Sequence, residues 1–164
     1  MPYLSMRKGE DLLNGLECLA IRLFKINDLS QVLMVEKESF HPGQQYDEPV
    51  FMRYLNMKHV FLVADLCGKI IGYVLGFVED SSIAHLASIA VSPSYRGLGI
   101  GSRLLEEFEK KATALGAKRI VLEVSTSNTV ALNMYVKKGY RIVRRIPKYY
   151  GDEDAYLMIK HFKS

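Results

Sequence analysis

An apolar strand that stops at a proline and runs into a loop of alternate glycines constrains this chain more than any other stretch. Residues 83–91, Ile-Ala-His-Leu-Ala-Ser-Ile-Ala-Val, are apolar or small at almost every position, the composition of a strand covered on both faces. Ser92-Pro93-Ser94 ends it, because proline has no amide hydrogen for the ladder and restricts the residue before it. Arg96, Gly97, Leu98, Gly99, Ile100 and Gly101 follow, and Ser102 opens a stretch with helical spacing. Alternate glycines let a ligand approach the backbone closely, and the first turn of a helix offers unpaired N–H groups at the positive end of the dipole. Together these suit a phosphate or pyrophosphate. The dinucleotide fingerprint needs glycines at the first, third and sixth places, whereas here they fall at the second, fourth and sixth. No Gly-Lys-Ser/Thr follows, so a nucleoside-triphosphate loop is not supported either.

The chain has 164 residues, 49% of them hydrophobic, enough for one sizeable core and too few for two. We expect an appendage at residues 1–18, with Leu12, Leu13 and Leu16 on a short helix, and a single domain over 19–164. No run of about 18 apolar residues and no signal stretch is present, so a cytoplasmic protein without a membrane partner is expected. Cys18 and Cys67 are too few for a disulfide framework or a four-ligand site, and the four histidines lack ligand spacing; no metal is expected. Residues 1–102 carry 9 basic and 11 acidic side chains and residues 103–164 carry 13 and 7. The positive excess lies in the C-terminal part, either as a solvated surface or to attract a polyanion.

The hydrophobic pattern predicts a strand over residues 19–24. A helix capped by Asn27 or Asp28 follows, with Leu29, Val32, Leu33, Val35 and Glu36 in register up to Phe40. A second helix opens at Asp47-Glu48-Pro49 with Phe51, Met52, Tyr54 and Leu55 inward. Residues 60–66 and 70–78 read as a hairpin turning at Cys67-Gly68-Lys69, and the strand at 83–91 joins it. The helix after the glycine loop stops at Leu115-Gly116. A strand over 119–124, a helix over 129–138 stopped by Gly139, and strands over 140–146 and 155–160 complete the chain.

This order of elements, with Arg96, Gly99 and Gly101 in the loop, resembles the GNAT N-acetyltransferases and their acyl-CoA loop, Arg/Gln-x-x-Gly-x-Gly/Ala. A second stretch is similar to the other half of that family's cofactor site, with Leu122-Glu123-Val124, Ser127-Asn128, Ala131, Met134-Tyr135 and Gly139-Tyr140 at matching spacing. Tyr149-Tyr150 and Glu153-Asp154-Ala155-Tyr156-Leu157-Met158 resemble the tail of the N-terminal protein acetyltransferases, the RimI-like and archaeal N-alpha-acetyltransferase branch. The resemblance covers about residues 19–160. It implies an α/β fold with a mixed, mostly antiparallel twisted sheet of about seven strands and about four helices.

The activity implied is direct transfer of an acetyl group from acetyl-CoA to the N-terminal amine of a protein in a ternary complex. By the same resemblance, backbone groups of Ile89, Ala90 and Val91 bind the pantetheine arm, and Arg96, Gly97, Leu98, Gly99, Ile100, Gly101 and Ser102 hold the pyrophosphate, mostly through N–H groups. Asn128 either touches the cofactor arm or caps a helix. Tyr135 is either core or the acid that meets the leaving thiolate, since a phenol and a thiol have pKa values of roughly 10 and 8.5. Glu123, a carboxylate within a strand, matches the base of RimI-like enzymes, and His85 is the second candidate or else a satisfied strand histidine. Phe40, Pro42, Tyr46, Tyr149 and Tyr150 would line the peptide site, with Asp152, Glu153 and Asp154 beside it to attract an amine. Some archaeal relatives carry a glutamate in the loop after the first helix, where this chain has Gln44 and Gln45. The implied partners are protein N-termini, including ribosomal or nascent chains, but no DNA, for a monomer or homodimer. Two other readings stay open, an enzyme of the same fold acting on lysine side chains or small amines, and a non-catalytic module binding CoA or RNA.

Overall fold

Residues 16–80 and 82–163 are described by the structure, a computed structural model. In chain order the elements are β1 Leu19–Leu23, α1 Leu29–Ser39, α2 Glu48–Leu55, β2 His59–Leu66, β3 Lys69–Val78, β4 Ile83–Val91, α3 Ile100–Ala114, β5 Arg119–Ser125, α4 Thr129–Lys137, β6 Arg141–Ile146 and β7 Ala155–His161. The strands form one seven-stranded sheet in the order β1-β2-β3-β4-β5-β7-β6. Every neighbouring pair is antiparallel except β4 and β5. Short turns join β2 to β3 and β3 to β4, whereas the parallel pair needs α3 as its crossover.

That parallel pair is brief. Only Ile83, Ala84 and His85 pair with Arg119, Ile120 and Val121, so the two strands part and leave the β5-facing edge of Ile89–Val91 without ladder partners. A bulge deepens the divergence. Leu75 faces Ser88 but Gly76 faces Leu86, which leaves Ala87 outside the ladder, and an extra residue bends a strand and shifts its faces. Ala84 and Leu86 accordingly belong to the core under α3 and α4, while Ala90, beyond the bulge, belongs to the core under α1 and α2.

The first core is built on Leu104, Leu105, Phe108, Ile120, Leu122 and Met158, and the second on Val32, Val35, Phe51, Phe61 and Tyr73. Gly76, opposite the bulge, is required by packing. A Cβ there would enter the Phe108 ring and lie 2.5 Å from the His85 carbonyl oxygen.

Several expectations are corrected. The strand at 83–91 alternates buried and half-buried positions and is not covered throughout, because β5 leaves its side. Asp28 does not cap α1 with its side chain; the carboxylate accepts from both terminal nitrogens of Arg22 and from the Lys25 amide. Met52 points outward at 40% exposure while Phe51 is fully buried, since α2 presents a narrow inner face. Cys18 and Cys67 are joined in a disulfide. The β1–β2 register pairs Leu19 with Leu66, which sets the next residue at each end face to face with a Cα separation of 5.5 Å. Residues 1–15 of the expected appendage, with Leu12 and Leu13, lie outside the described residues. Leu16–Cys18 forms a short 3-10 turn, and Leu16 packs on the first core.

Among the described residues no helix is long and apolar enough to cross a membrane.

Candidate active site

The parting of β4 and β5 opens a slot in the middle of the sheet, and the glycine loop lies at its end. Gly97 and Gly99 have φ of 79° and 82°, which L side chains rarely adopt, and a Cβ at either would meet nothing within 4 Å. The loop backbone therefore faces open space. Arg103 donates to the Gly99 carbonyl at 3.1 Å, so the amides of Ile100, Gly101 and Ser102 precede the first intrahelical bond of α3 and are free for an anion. Gly101 lies under α4, where a Cβ would stand 3.4 Å from the Met134 sulfur. These residues fit a pyrophosphate bound by backbone amides. The Arg96 side chain turns back instead, its Nε donating to the Val91 carbonyl at 2.9 Å, and so closes the loop onto the end of β4.

On β5, Ile120, Leu122 and Val124 face the first core, which directs Glu123 to the opposite side. His85 faces the same way from β4, and its Nε2 lies 2.5 Å from Glu123 Oε2. The two candidate bases are thus one pair. Glu79 Oε1 stands 3.5 Å from Nδ1 of the same ring, and Phe77 packs beside it with centroids 5.1 Å apart. Burial alone would push the His85 imidazole down, but the Glu123 hydrogen bond and charge, with Glu79 behind, outweigh it and raise the pKa.

Tyr135 projects from α4 into the first core at 4% exposure. Its ring packs edge-on against Tyr140, and its hydroxyl makes no hydrogen bond among the described residues. Burial, then the neighbouring Tyr150, holds this phenol well above its ordinary range, so it stays a proton donor. Tyr150 is itself pushed up by burial first, then by Tyr149, Glu123 and Glu153.

Asn128 caps α4, its side-chain oxygen accepting from the Ala131 amide at 3.2 Å. Its amide hydrogens and the second lone pair of that oxygen remain for a ligand. Ile89 and Val91 turn toward the first core, half-buried, and Ala90 toward the second, while the backbone groups of all three lie along the edge that β5 leaves free.

The loop after α1 and the turn between β6 and β7 enclose a cleft of about 380 Å³ lined by His41, Gly43, Gln44, Tyr150, Asp152 and Glu153. Glu153 accepts from Ser125 Oγ at 2.6 Å and Ser127 Oγ at 3.2 Å, and Gln44 reaches it at 3.4 Å from the opposite loop. The Ser125 bond, with lesser help from Ser127 and Gln44, holds its carboxyl below the usual range. Asp154 faces away, bound to Arg145 and the Lys148 amide. Tyr149 and Tyr150 stand edge to face, 4.8 Å between centroids. Tyr46 is tucked beneath the cleft against Phe51 and Tyr54, with Phe40 and Pro42 in the same loop.

The sequence does not mark Glu79, Ser125, Ser127 and Glu153 as parts of one site: Ser127 stands in the Ser127-Asn128 match and Glu153 in an acidic run beside tyrosines, while Glu79 and Ser125 carry no signal. Among the described residues no group of three or more His, Cys, Asp or Glu side chains could hold a metal ion.

Comparison with known proteins gives concordant matches. The profile described as Acetyltransferase (GNAT) family matches residues 26–140. An uncharacterized N-acetyltransferase of Methanocaldococcus jannaschii is 39% identical over 145 residues, covering 87% of this chain and 91% of its own. An N-alpha-acetyltransferase of Sulfurisphaera tokodaii is 31% identical over 172 residues, covering 96% and 98%. The crystal structure of Ard1 from Thermoplasma volcanium superposes with a TM-score of 0.82 at 26% identity, covering 90% of this chain and 99% of that one.

Proposed function

Because the chain belongs to the acetyltransferase (GNAT) family, we propose that it transfers an acetyl group from acetyl-CoA to the N-terminal amine of a protein. The observation that carries this reading is the His85–Glu123 pair, 2.5 Å apart, on the face of the sheet turned away from the first core. Acetyl-CoA supplies an activated thioester. The amides at the start of α3 hold its pyrophosphate, and the free edge of β4 at Ile89–Val91 takes the arm and polarises the carbonyl.

The amine enters from the cleft between Tyr46 and the Tyr149–Tyr150 pair, whose hydroxyls can bond a peptide backbone. Both ring nitrogens of His85 face carboxylates, so Glu123 presents its free oxygen to the amine side, directly or through one water. Glu123 takes up the proton on that oxygen, while His85, held from behind by Glu79, donates to the other oxygen and fixes the carboxylate. This arrangement gives Glu123 the contact with the amine and His85 the orientation of the base. On the other face Tyr135 donates a hydrogen bond to the departing thiolate, which steadies the negative sulfur in a buried slot.

An α-amine suits this modest base, because its pKa of about 7.7 to 8.0 leaves it largely neutral near pH 8, whereas a lysine at about 10.4 stays charged. The reading places the enzyme in the cytoplasm, as a monomer or homodimer, with ribosomal or nascent chains among its substrates, and it resembles the RimI-like branch most in its tyrosine pair. The experiment is incubation with acetyl-CoA and a panel of peptides differing in their first residue, with free CoA and peptide mass as readouts. Release of CoA matched by a 42 Da gain on the peptide, about the mass of one added acetyl group, supports the reading. Acetyl-CoA binding without turnover on any peptide would make the chain a binding module instead.

A further inference from the structure

Glu36 is the most deeply buried carboxylate among the described residues, at 1% exposure, and the transfer chemistry above leaves it without a task. It lies on the apolar stripe of α1 with Val32 and Val35. A carboxylate in such a place needs strong partners to remain there. Oε1 accepts the Tyr46 amide at 2.9 Å, Oε2 accepts the Tyr73 hydroxyl in a short contact, and Tyr73 Oη lies 2.8 Å from Ser88 Oγ. Tyr46 completes the circuit, its hydroxyl donating to the carbonyl of Ala87 at 3.2 Å. Ala87 is the residue that the bulge leaves outside the β3–β4 ladder.

Helix α1, the loop after it, β3 and β4 thus meet in one network, with Glu36 bonded to the loop and to β3 and reaching β4 through Tyr46 and Tyr73. Gln45 bonds the Phe40 carbonyl at the end of α1, and Asp47 caps α2, so these two tie the ends of the loop to its own helices. Glu36 and Tyr46 tie its middle to the bulged strand, one residue before the segment Ser88–Val91 that borders the acyl slot.

We propose that Glu36 is a positioning residue for the amine substrate: it pins the loop bearing Phe40, Pro42 and Tyr46 to the bulge of β4 and sets the distance between the acceptor wall and the acyl donor. The proposal rests on the reading of that loop as the peptide wall. Its geometric half, that one buried carboxylate holds the loop, does not.

Three variants separate the possibilities. Glu36→Met keeps the length and removes both acceptors. Glu36→Asp keeps the charge but falls a methylene short of Tyr46 and Tyr73 together. Glu36→Gln restores the set, its oxygen accepting from Tyr46 and its amide donating to Tyr73, which then donates to Ser88. In Glu36→Met and Glu36→Asp, kcat/KM for the best peptide should fall by about 10- to 100-fold, chiefly through KM, the scale of loss for a substrate misplaced by about an ångström. Affinity for acetyl-CoA should stay within about twofold of the parent, since the amides at the start of α3 touch none of this network. Hydrogen exchange over residues 40–47, measured on the free protein, should speed up in both and remain at the parent rate in Glu36→Gln.

If Glu36→Met does not fold, Glu36→Asp carries the same test. Parent-like KM and exchange in a folded Met or Asp variant would overturn the proposal, as would an equal loss of acetyl-CoA affinity. Failure of the parent to acetylate any peptide would count against the function, while the exchange rates would still decide the role of Glu36.

Discussion

Gly76→Ala tests the link between packing and chemistry most sharply. The added Cβ would enter the Phe108 ring and stand 2.5 Å from the His85 carbonyl oxygen. Phe108 is fully buried and cannot swing away, so β4 must yield. Reaching the 3.4 Å of ordinary contact requires a shift of about 0.9 Å at His85. Added to the 2.5 Å between His85 and Glu123, a shift in the plane of the pair takes it past the roughly 3.2 Å limit of an N–H···O bond. Overpacking of this kind costs about 1 to 3 kcal/mol, which lowers the melting temperature by roughly 2 to 12 °C for a domain of this size. Turnover should fall by about 10- to 100-fold, because misplacement by an ångström has that effect on a reacting pair. Calorimetry and peptide acetylation are the assays, with Gly43→Ala as control for the melting temperature alone, because a Cβ there meets nothing within 4 Å. A Gly76→Ala protein that melts within about 1 °C of the parent and turns over normally would refute both the packing at the bulge and its connection to His85.

Other consequences are open to direct measurement. Cys67→Ser opens a disulfide spanning 49 residues, which should cost about 4 kcal/mol; a reductant should lower the parent's melting temperature by on the order of 10 °C and leave that of the variant unchanged. Tyr135→Phe should lower kcat by about 10² to 10⁴ with acetyl-CoA affinity unchanged, and equal turnover would return Tyr135 to a packing role. Glu123→Gln should slow acetylation, and partial rescue at higher pH is expected as the amine loses its proton in bulk. It should also change how stability depends on pH. The folded pKa of His85 is raised, so the pair's contribution is complete below about pH 6.5 and disappears as pH rises through the folded value. Urea unfolding should therefore show the largest gap between parent and variant near pH 6 and a smaller one at pH 9, and a gap that widens with pH would contradict the pairing.

What could be read from the sequence was local. The glycine loop, the proline stop and the helix after them are written in consecutive residues, although the helix begins at Ile100, two residues before the expected Ser102, and Asp47 caps α2 as its position before Glu48-Pro49 implies. The bulge at Ala87 left no mark, because the residues around it contain neither glycine nor proline and the irregularity arises from pairing with Gly76 across the sheet. The parting of β4 and β5 was equally hidden, since it depends on where two strands over thirty residues apart stop touching. Glu36 was visible as a carboxylate in an apolar register, but its partner Tyr73 lies 37 residues on and nothing in either segment names the other. Cys18 and Cys67 were seen, yet their bond follows from the β1–β2 register and not from spacing. Glu123 and His85 were weighed as rivals, and the faces of two adjacent strands make them a pair.

The central claim, acetyl transfer to an α-amine, meets its most direct test in two peptides of matched length offered with acetyl-CoA at pH 7. One has a free N-terminus and no lysine, and the other a blocked N-terminus and one internal lysine. Near neutral pH the α-amine is about 200 to 400 times more often unprotonated than the lysine, and the His85–Glu123 pair is placed to remove the proton that remains after attack. Mass spectrometry should show the free N-terminus acetylated at the higher initial rate and the blocked peptide left almost unmodified. Faster acetylation of the blocked peptide would contradict the account.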